Sequence, residues 1–244
     1  MVSATVVIQA RMGSTRLPGK SMADLGGRPV IDWVVERAAS AELVDSVIVA
    51  TSTNSEDDVL AQHVEAHGVA TAWRGDPDDV LDRFAGALSL TDADVIVRVT
   101  GDCPFVQPEL IDLAIATQRD GVYSATDPDG RFPRGFDVEA VSRAALVAAA
   151  AEATDPDERE HVTVFVVRRP ERFAPVPLVC PEWARRPDLR LTLDEPDDLA
   201  LLRAVVDGLD ATPSTLDGPS IIEFLDDHPD IAALNGSVHH NIVK

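Results

Sequence analysis

The sequence predicts an α/β protein built as a three-layer sandwich, with a mostly parallel mixed sheet between two layers of helices. Three observations lead there. Short β-branched runs alternate with segments of helical period through the first half of the chain; each helical segment lies between two strand segments, as a crossover requires; and 45% of the 244 residues are hydrophobic, enough for a full α/β core.

The elements follow in order. Thr5 to Ala10 is β-branched and is stopped by a loop bearing glycine and proline, which reads as a buried strand. Val30 to Glu42 repeats apolar residues at helical spacing through Ile31, Val34, Val35 and Ala38, with Pro29 at its start. The pattern recurs with strand Ser46 to Ala50, helix Glu56 to His67, strand Val69 to Trp73, helix Asp79 to Leu88 and strand Asp94 to Val99. Helix Pro104 to Thr117 comes next, and strands are expected near Gly121 to Ala125, Asp137 to Val141, Phe173 to Leu178 and Leu189 to Leu193. Ala144 to Ala153, Glu160 to Arg168, Leu199 to Leu209 and Ile221 to Asp227 read as helices, whereas His228 to Lys244 loses periodicity. The expected division is residues 1–227 as the folded unit and 228–244 as a tail.

A formal charge of −21 disfavours nucleic acid and anionic membrane as partners, because a polyanion is repelled by most of such a surface. No window approaches the ~18 uninterrupted apolar residues of a membrane span. Met1 to Ala10 has no signal-peptide pattern, so the cytoplasm is the expected location. Cys103 and Cys180 lack the spacing of a zinc or redox pair and read as ordinary thiols; between Asp102 and Pro104, a depressed pKa for Cys103 has no support. His63 and His67 stand one helical turn apart without a third ligand and read as surface residues.

Against this acidic background, Arg11-Met-Gly-Ser-Thr-Arg-Leu-Pro-Gly-Lys20 gathers three cations and two glycines directly after the first strand. Lys20 and Lys244 are the only lysines, so a lysine in this loop stands out. A triphosphate carries about four negative charges, and the N–H groups of Gly13, Ser14 and Thr15 with Arg11, Arg16 and Lys20 are its chemical complement. A P-loop is refused by spacing: Gly13 and Gly19 enclose five residues where that motif has four, and Gly26-Gly27-Arg28-Pro29 interrupts the helix that must start at the lysine. No GxGxxG follows any strand, which removes a dinucleotide fold.

Asp102 and Asp194 follow expected strands at the same rim as this loop. Magnesium accepts hard oxygen ligands and keeps several waters, so one or two carboxylates plus phosphate oxygens suit it. Both residues also precede helical segments, where a capping aspartate is favourable, and on pattern alone the two readings stand level.

Ile8-Gln-Ala-Arg-Met-Gly-Ser-Thr-Arg-Leu-Pro-Gly-Lys20 resembles the signature of the cytidylyltransferase superfamily that includes 3-deoxy-manno-octulosonate cytidylyltransferase. The likeness is closest to the spore coat polysaccharide biosynthesis protein F branch, through Leu25-Gly-Gly-Arg-Pro-Val30, Val49-Ala-Thr-Ser-Thr-Asn54, Val97-Arg-Val-Thr-Gly-Asp-Cys-Pro104, Pro133-Arg-Gly-Phe-Asp137, Glu158-Arg-Glu-His-Val162 and Leu191-Thr-Leu-Asp-Glu-Pro196. The resemblance implies a nucleotide-diphosphosugar-transferase-like sheet and a nucleotidyltransferase using CTP, Mg2+ and a small, sugar-like, acidic acceptor, commonly as a homodimer. It makes Arg11, Arg16, Lys20 and Asp102 catalytic, and Asp102 and Asp194 metal carboxylates. It adds Ala10, Asp79 and Arg83 to the nucleotide site and places the Asp157-Glu-Arg-Glu-His161 block, with Glu158 and His161, near the acceptor, for which Arg131, Arg134 and Asp137 are further candidates. One departure touches the acceptor: the octulosonate enzymes carry Ser-Gly-Thr-(Glu/Asp)-Arg where this chain reads Asp78-Asp-Val-Leu-Asp-Arg83. Arg131 and Arg134 are sensible anchors for a carboxylate or phosphate, though a solvated loop would look the same, and Glu158 and Glu160 also suit the first turn of a helix.

Overall fold

In a computed structural model that describes residues 3–126 and 130–238, the first strand, β1 (Ala4–Gln9), sends alternate side chains to opposite faces of the sheet. Ala4, Val6 and Ile8 enter one hydrophobic core and Val7 the other. A strand covered on both faces is mostly apolar on both, which is why this run reads as nearly continuous rather than alternating, with Thr5 a buried exception. Around it lie β4 (Ser46–Ser52), β5 (Thr71–Gly75), β6 (Val95–Thr100), β7 (Val122–Ala125), β8 (Glu139–Ser142) and β9 (Ala174–Pro177), in the order β5-β4-β1-β6-β8-β7-β9. Only β8 runs against its neighbours. A short hairpin, β2 (Asp24–Leu25) with β3 (Arg28–Pro29), follows a single 3-10 turn at Lys20–Met22. That hairpin halts the helix a P-loop would need after its lysine.

The helices divide between the faces. α1 (Val30–Ala39), α2 (Asp58–His67), α4 (Pro108–Thr117), α8 (Pro196–Gly208) and α9 (Gly218–Asp227) pack with Trp33, Leu60, Ile111, Leu202 and Ile221 in one core. α3 (Val80–Ala87), α5 (Arg143–Glu152) and α7 (Val164–Val167) pack with Phe84, Leu146 and Phe165 in the other. This is the three-layer sandwich that the alternation predicts.

The open edge at β9 carries its own protection. Ala174 N–H donates to Gly121 O at 2.7 Å and Leu178 N–H to Ala125 O at 3.0 Å, so the residues between them that face outward are Pro175 and Pro177. Neither has an N–H to offer a further strand.

Several expectations need correction. Leu189 to Leu193 is not a strand of the sheet: it makes one isolated parallel bridge, with Arg134 N–H donating to Leu189 O at 3.0 Å and Leu191 N–H to Arg134 O at 2.6 Å, and Leu193 N–H donates to the Asp102 carbonyl at 2.8 Å. Gly135 permits this approach, since at φ +106° a Cβ there would lie 2.5 Å from the Leu191 carbonyl. The helix expected over Glu160 to Arg168 is two pieces, α6 (Pro156–Glu160) and α7, because Pro156 and the Asp155 cap start a helix early and the chain turns at His161. His161 therefore closes a helix instead of opening one. α4 starts at Pro108, not Pro104, and β8 begins two residues later than expected. The segment from His228 does not simply fray: α10 (Pro229–Ala232) follows, and Asn235, 3% exposed, donates to Arg190 O at 3.0 Å and Asp198 Oδ1 at 2.8 Å. The last part of the expected tail, residues 239–244 with Lys244, lies outside the described residues.

Candidate active site

The loop after β1 is held in shape by its own backbone and by one buried acid. Asp57, 1% exposed, accepts from Met12 N–H at 2.6 Å and from the Ser52 hydroxyl, while Ser14 N–H and Gly19 N–H both donate to Met12 O. Ser14 N–H is thus committed inside the loop, contrary to its expected place in a phosphate cradle. Gly13 sits close to Glu56, whose Oε1 would lie 2.5 Å from an added Cβ. The loop ends at Gly19, in the left-handed region at φ +75°, which delivers Lys20 into the 3-10 turn.

Lys20 is the hub. Its ammonium contacts Asp102 Oδ2 at 2.7 Å, Asp194 Oδ1 at 2.9 Å and the Leu193 carbonyl at 2.8 Å. Arg16 reaches Asp194 at 3.0 Å and Glu195 at 3.3 Å. Behind them Arg190, 7% exposed, clamps Asp194 at 2.6 Å and Asp198 at 2.8 Å. Burial works against the Lys20 charge, but Asp102 and Asp194 outweigh it and hold the ammonium above its ordinary range. Burial likewise favours a neutral Asp194, yet Lys20, Arg190 and Arg16 together hold its carboxyl at about 2.

Neither carboxylate is a helix cap. Gln107 stands at the cap of α4, and Glu195 forms a capping box with Asp198 at the start of α8. The capping alternative is removed by position, and both acids converge on Lys20. Two carboxylates on one rim are hard oxygen donors of the kind magnesium accepts beside phosphate oxygens; among the described residues no group of three or more His, Cys, Asp or Glu comes together. Cys103, beside them, is buried; burial first and Asp102 second push its thiol well up, so it makes a poor nucleophile.

A pocket of about 250 Å3 opens over the end of β1, with Arg11 of the basic loop in its wall. Gln9, Ala10 and Arg11 form one side, Pro77, Asp78, Val80 and Arg83 another, and Glu160 with His161 the third. Arg83, 3% exposed, spends one nitrogen on the carbonyls of Asp76 and Pro77 and leaves Nε without a partner. Its charge is opposed by burial and then by Arg11 nearby.

Other expected site residues fall elsewhere. Asp79 caps α3 through Asp82 N–H at 2.8 Å and pairs with Arg159 on α6, so it ties two helices together. Glu158 is 4% exposed and bonded to Arg169 at 2.7 Å, which withdraws it from any acceptor. Arg131, Arg134 and Asp137 lie on the loop that runs beside residues 189–193; Asp137 accepts from Gly135 N–H at 2.8 Å, and its charge is felt at Cys103. Thr15 is exposed on the loop. His63 and His67 are less idle than expected, contacting Asp32 at 2.6 Å and Glu36 at 3.1 Å on α1. Asp57 was not legible as a site residue because the Met12 N–H it holds lies far back in the chain, and Arg190 was not because nothing in the sequence shows that the nearby Asp194 faces Lys20.

One expectation follows from the depressed Asp194. Its ordinary value is 3.8, so on acidification the unfolded chain takes up the proton first, and the contribution is present above about pH 4 and lost as pH falls through about 2. Urea unfolding of metal-free protein should show a pH-dependent advantage of wild type over Asp194→Asn of about 2 kcal/mol at neutral pH, reduced to roughly half at pH 3. A difference that stays constant across this range would refute the ion-pair account.

Comparison with known proteins gives the family. The profile of the family described as Cytidylyltransferase matches residues 5–204. The chain is 34% identical over 231 residues to spore coat polysaccharide biosynthesis protein SpsF of Bacillus subtilis, covering 93% of this chain and 95% of that one. It is 44% identical over 115 residues to 3-deoxy-manno-octulosonate cytidylyltransferase of Pelobacter propionicus, covering 47% and 44%. Its fold superposes on a cytidylyltransferase from Leptospira borgpetersenii with a TM-score of 0.87 at 27% identity, covering 98% of this chain and all of that one.

Proposed function

Since the chain belongs to the cytidylyltransferase family, in the branch of the spore coat polysaccharide protein, we propose that it transfers CMP from CTP to an acidic, sugar-like acceptor and releases pyrophosphate, in polysaccharide or glycoconjugate biosynthesis. The observation that carries this reading is the single ammonium of Lys20 bridging Asp102 and Asp194 at the end of the basic loop. Nothing in that arrangement offers a covalent nucleophile, so catalysis rests on position and charge.

Lys20 and Arg16 bind the β- and γ-phosphates and take up the charge that moves onto pyrophosphate, with Arg11 guiding the α-phosphate at the pocket mouth. The acceptor oxygen bonds to the α-phosphorus in line as the bond to the pyrophosphate oxygen breaks. Asp102 and Asp194 would hold a magnesium ion that polarises the α-phosphate and orients the leaving group. Arg131, Arg134 and His161 are the acceptor's candidate anchors. Residues 1–227 carry the transferase, the protein acts in the cytoplasm as a homodimer, and among the described residues no helix is long and apolar enough to cross a membrane.

The test is pyrophosphate release with each of the four triphosphates against a panel of acidic sugars, sugar phosphates and phosphonates. CTP turnover that requires one of these acceptors is expected. Turnover without any acceptor would mark a hydrolase, and CTP binding with no turnover on any acceptor would mark a non-catalytic subunit; either outcome sinks the reading.

A further inference from the structure

Below the pocket, the sheet carries a polar chain that the phosphate chemistry leaves unused. Gln9 ends β1, and on the neighbouring β6 Arg98 pairs in register with Val7, so both long side chains rise from the same face. Arg98 Nε donates to Gln9 Oε1 at 3.0 Å, and its Nη1 pairs with Glu139 on β8. The other Glu139 oxygen accepts from the Tyr123 hydroxyl at 2.5 Å and from Thr163 Oγ1 at 2.8 Å. Arg98 and Glu139 are 16% and 19% exposed, and Glu139 stays ionised against its burial chiefly because of Arg98.

This chain fixes the direction of an amide. A guanidinium has donors and no acceptor, so the Gln9 atom facing it must be the carbonyl oxygen; a flipped amide would set NH2 against N–H. Glu139, held on three sides, keeps Arg98 from swinging away. Gln9 lines the pocket, and among the described residues its NH2 group donates to no protein atom.

We infer that Arg98 is a positioning residue that locks Gln9 as a hydrogen-bond donor on the pocket floor, so that the pocket accepts a base edge bearing a lone pair, cytosine N3, and rejects the N3–H of uracil. The inference rests on the nucleotide reading above. Ala10, Pro77 and Val80 give the pocket apolar walls for a flat ring, and Arg11 at its edge is the first residue of the loop that runs to Lys20. The base therefore lies in the pocket with its phosphates following the loop. Anionic groups meet Arg16 and Lys20, and a neutral amide donor matches a neutral ring acceptor.

Calorimetric binding of CTP, UTP and inorganic tripolyphosphate to the full chain tests this. Wild type should bind CTP more tightly than UTP. Gln9→Glu keeps the size and the Arg98 contact but presents only acceptors: CTP affinity should fall about tenfold or more, UTP should not weaken, and tripolyphosphate should be unchanged. Arg98→Met combined with Glu139→Gln frees Gln9 without stranding a buried charge, and the CTP-to-UTP ratio should collapse toward one. Gln9→Glu alone decides the matter where the double variant does not fold. A CTP-to-UTP ratio that survives Gln9→Glu overturns the lock while leaving the transferase reading intact; wild type that binds neither nucleotide overturns both.

Discussion

With Asp102→Asn, pyrophosphate release is expected to fall by about a hundredfold to a thousandfold while the protein stays folded. Asparagine keeps the shape and can still accept from Lys20, whose ammonium now lies 2.7 Å from Asp102 Oδ2. The backbone carbonyl of residue 102, which accepts from Leu193 N–H at 2.8 Å and Thr192 Oγ1 at 3.1 Å, is untouched. The stability cost should therefore be about 1 kcal/mol or less, as for other partly exposed ion pairs. What is lost is a full negative charge at the rim where a metal-bound polyphosphate must be held. Single-turnover rates with saturating CTP, beside a thermal unfolding curve, separate the two effects. Undiminished turnover in a folded variant would remove Asp102 from the chemistry.

The fold was legible where one physical signal acted locally. The β-branched run of β1, its stop at the basic loop and the helical period after Pro29 needed no partner to be read, and the alternation that follows dictates a parallel sheet. In a chain so poor in lysine, Lys20 stands out from the sequence alone. Legibility failed where a residue's role is set by a distant neighbour. Leu189 to Leu193 has the pattern of a strand, and its apolar positions are buried as a strand's would be, but what it pairs with are Arg134 and the Asp102 carbonyl, both far back in the chain, and it is no strand of the sheet. Asp79 and Glu158 carry charges suited to a ligand, yet Arg159 and Arg169 claim them. Gln9 and Arg98 look like ordinary polar interruptions of two strands, and only the register that sets them side by side gives them a joint role.

The second large effect concerns Lys20 itself, because one nitrogen serves both acids. Lys20→Met should reduce pyrophosphate release by about a thousandfold or more, since it removes the cation that receives charge from the leaving group as well as the group that sets the carboxylate spacing. Its structural consequence should be equally telling. Arg16 and Arg190 still hold Asp194, but Asp102 loses the ion pair to Lys20, and two carboxylates of like charge then face one another across a partly buried gap. In such a site a divalent cation replaces the missing charge, so magnesium should raise the melting temperature of the variant clearly more than that of wild type. Adding Asp102→Asn to Lys20→Met should abolish that extra rise, because only one acid then remains. A variant whose melting temperature ignores magnesium, in single and double form alike, would mean that the two carboxylates meet only through the lysine and have no common affinity for a metal.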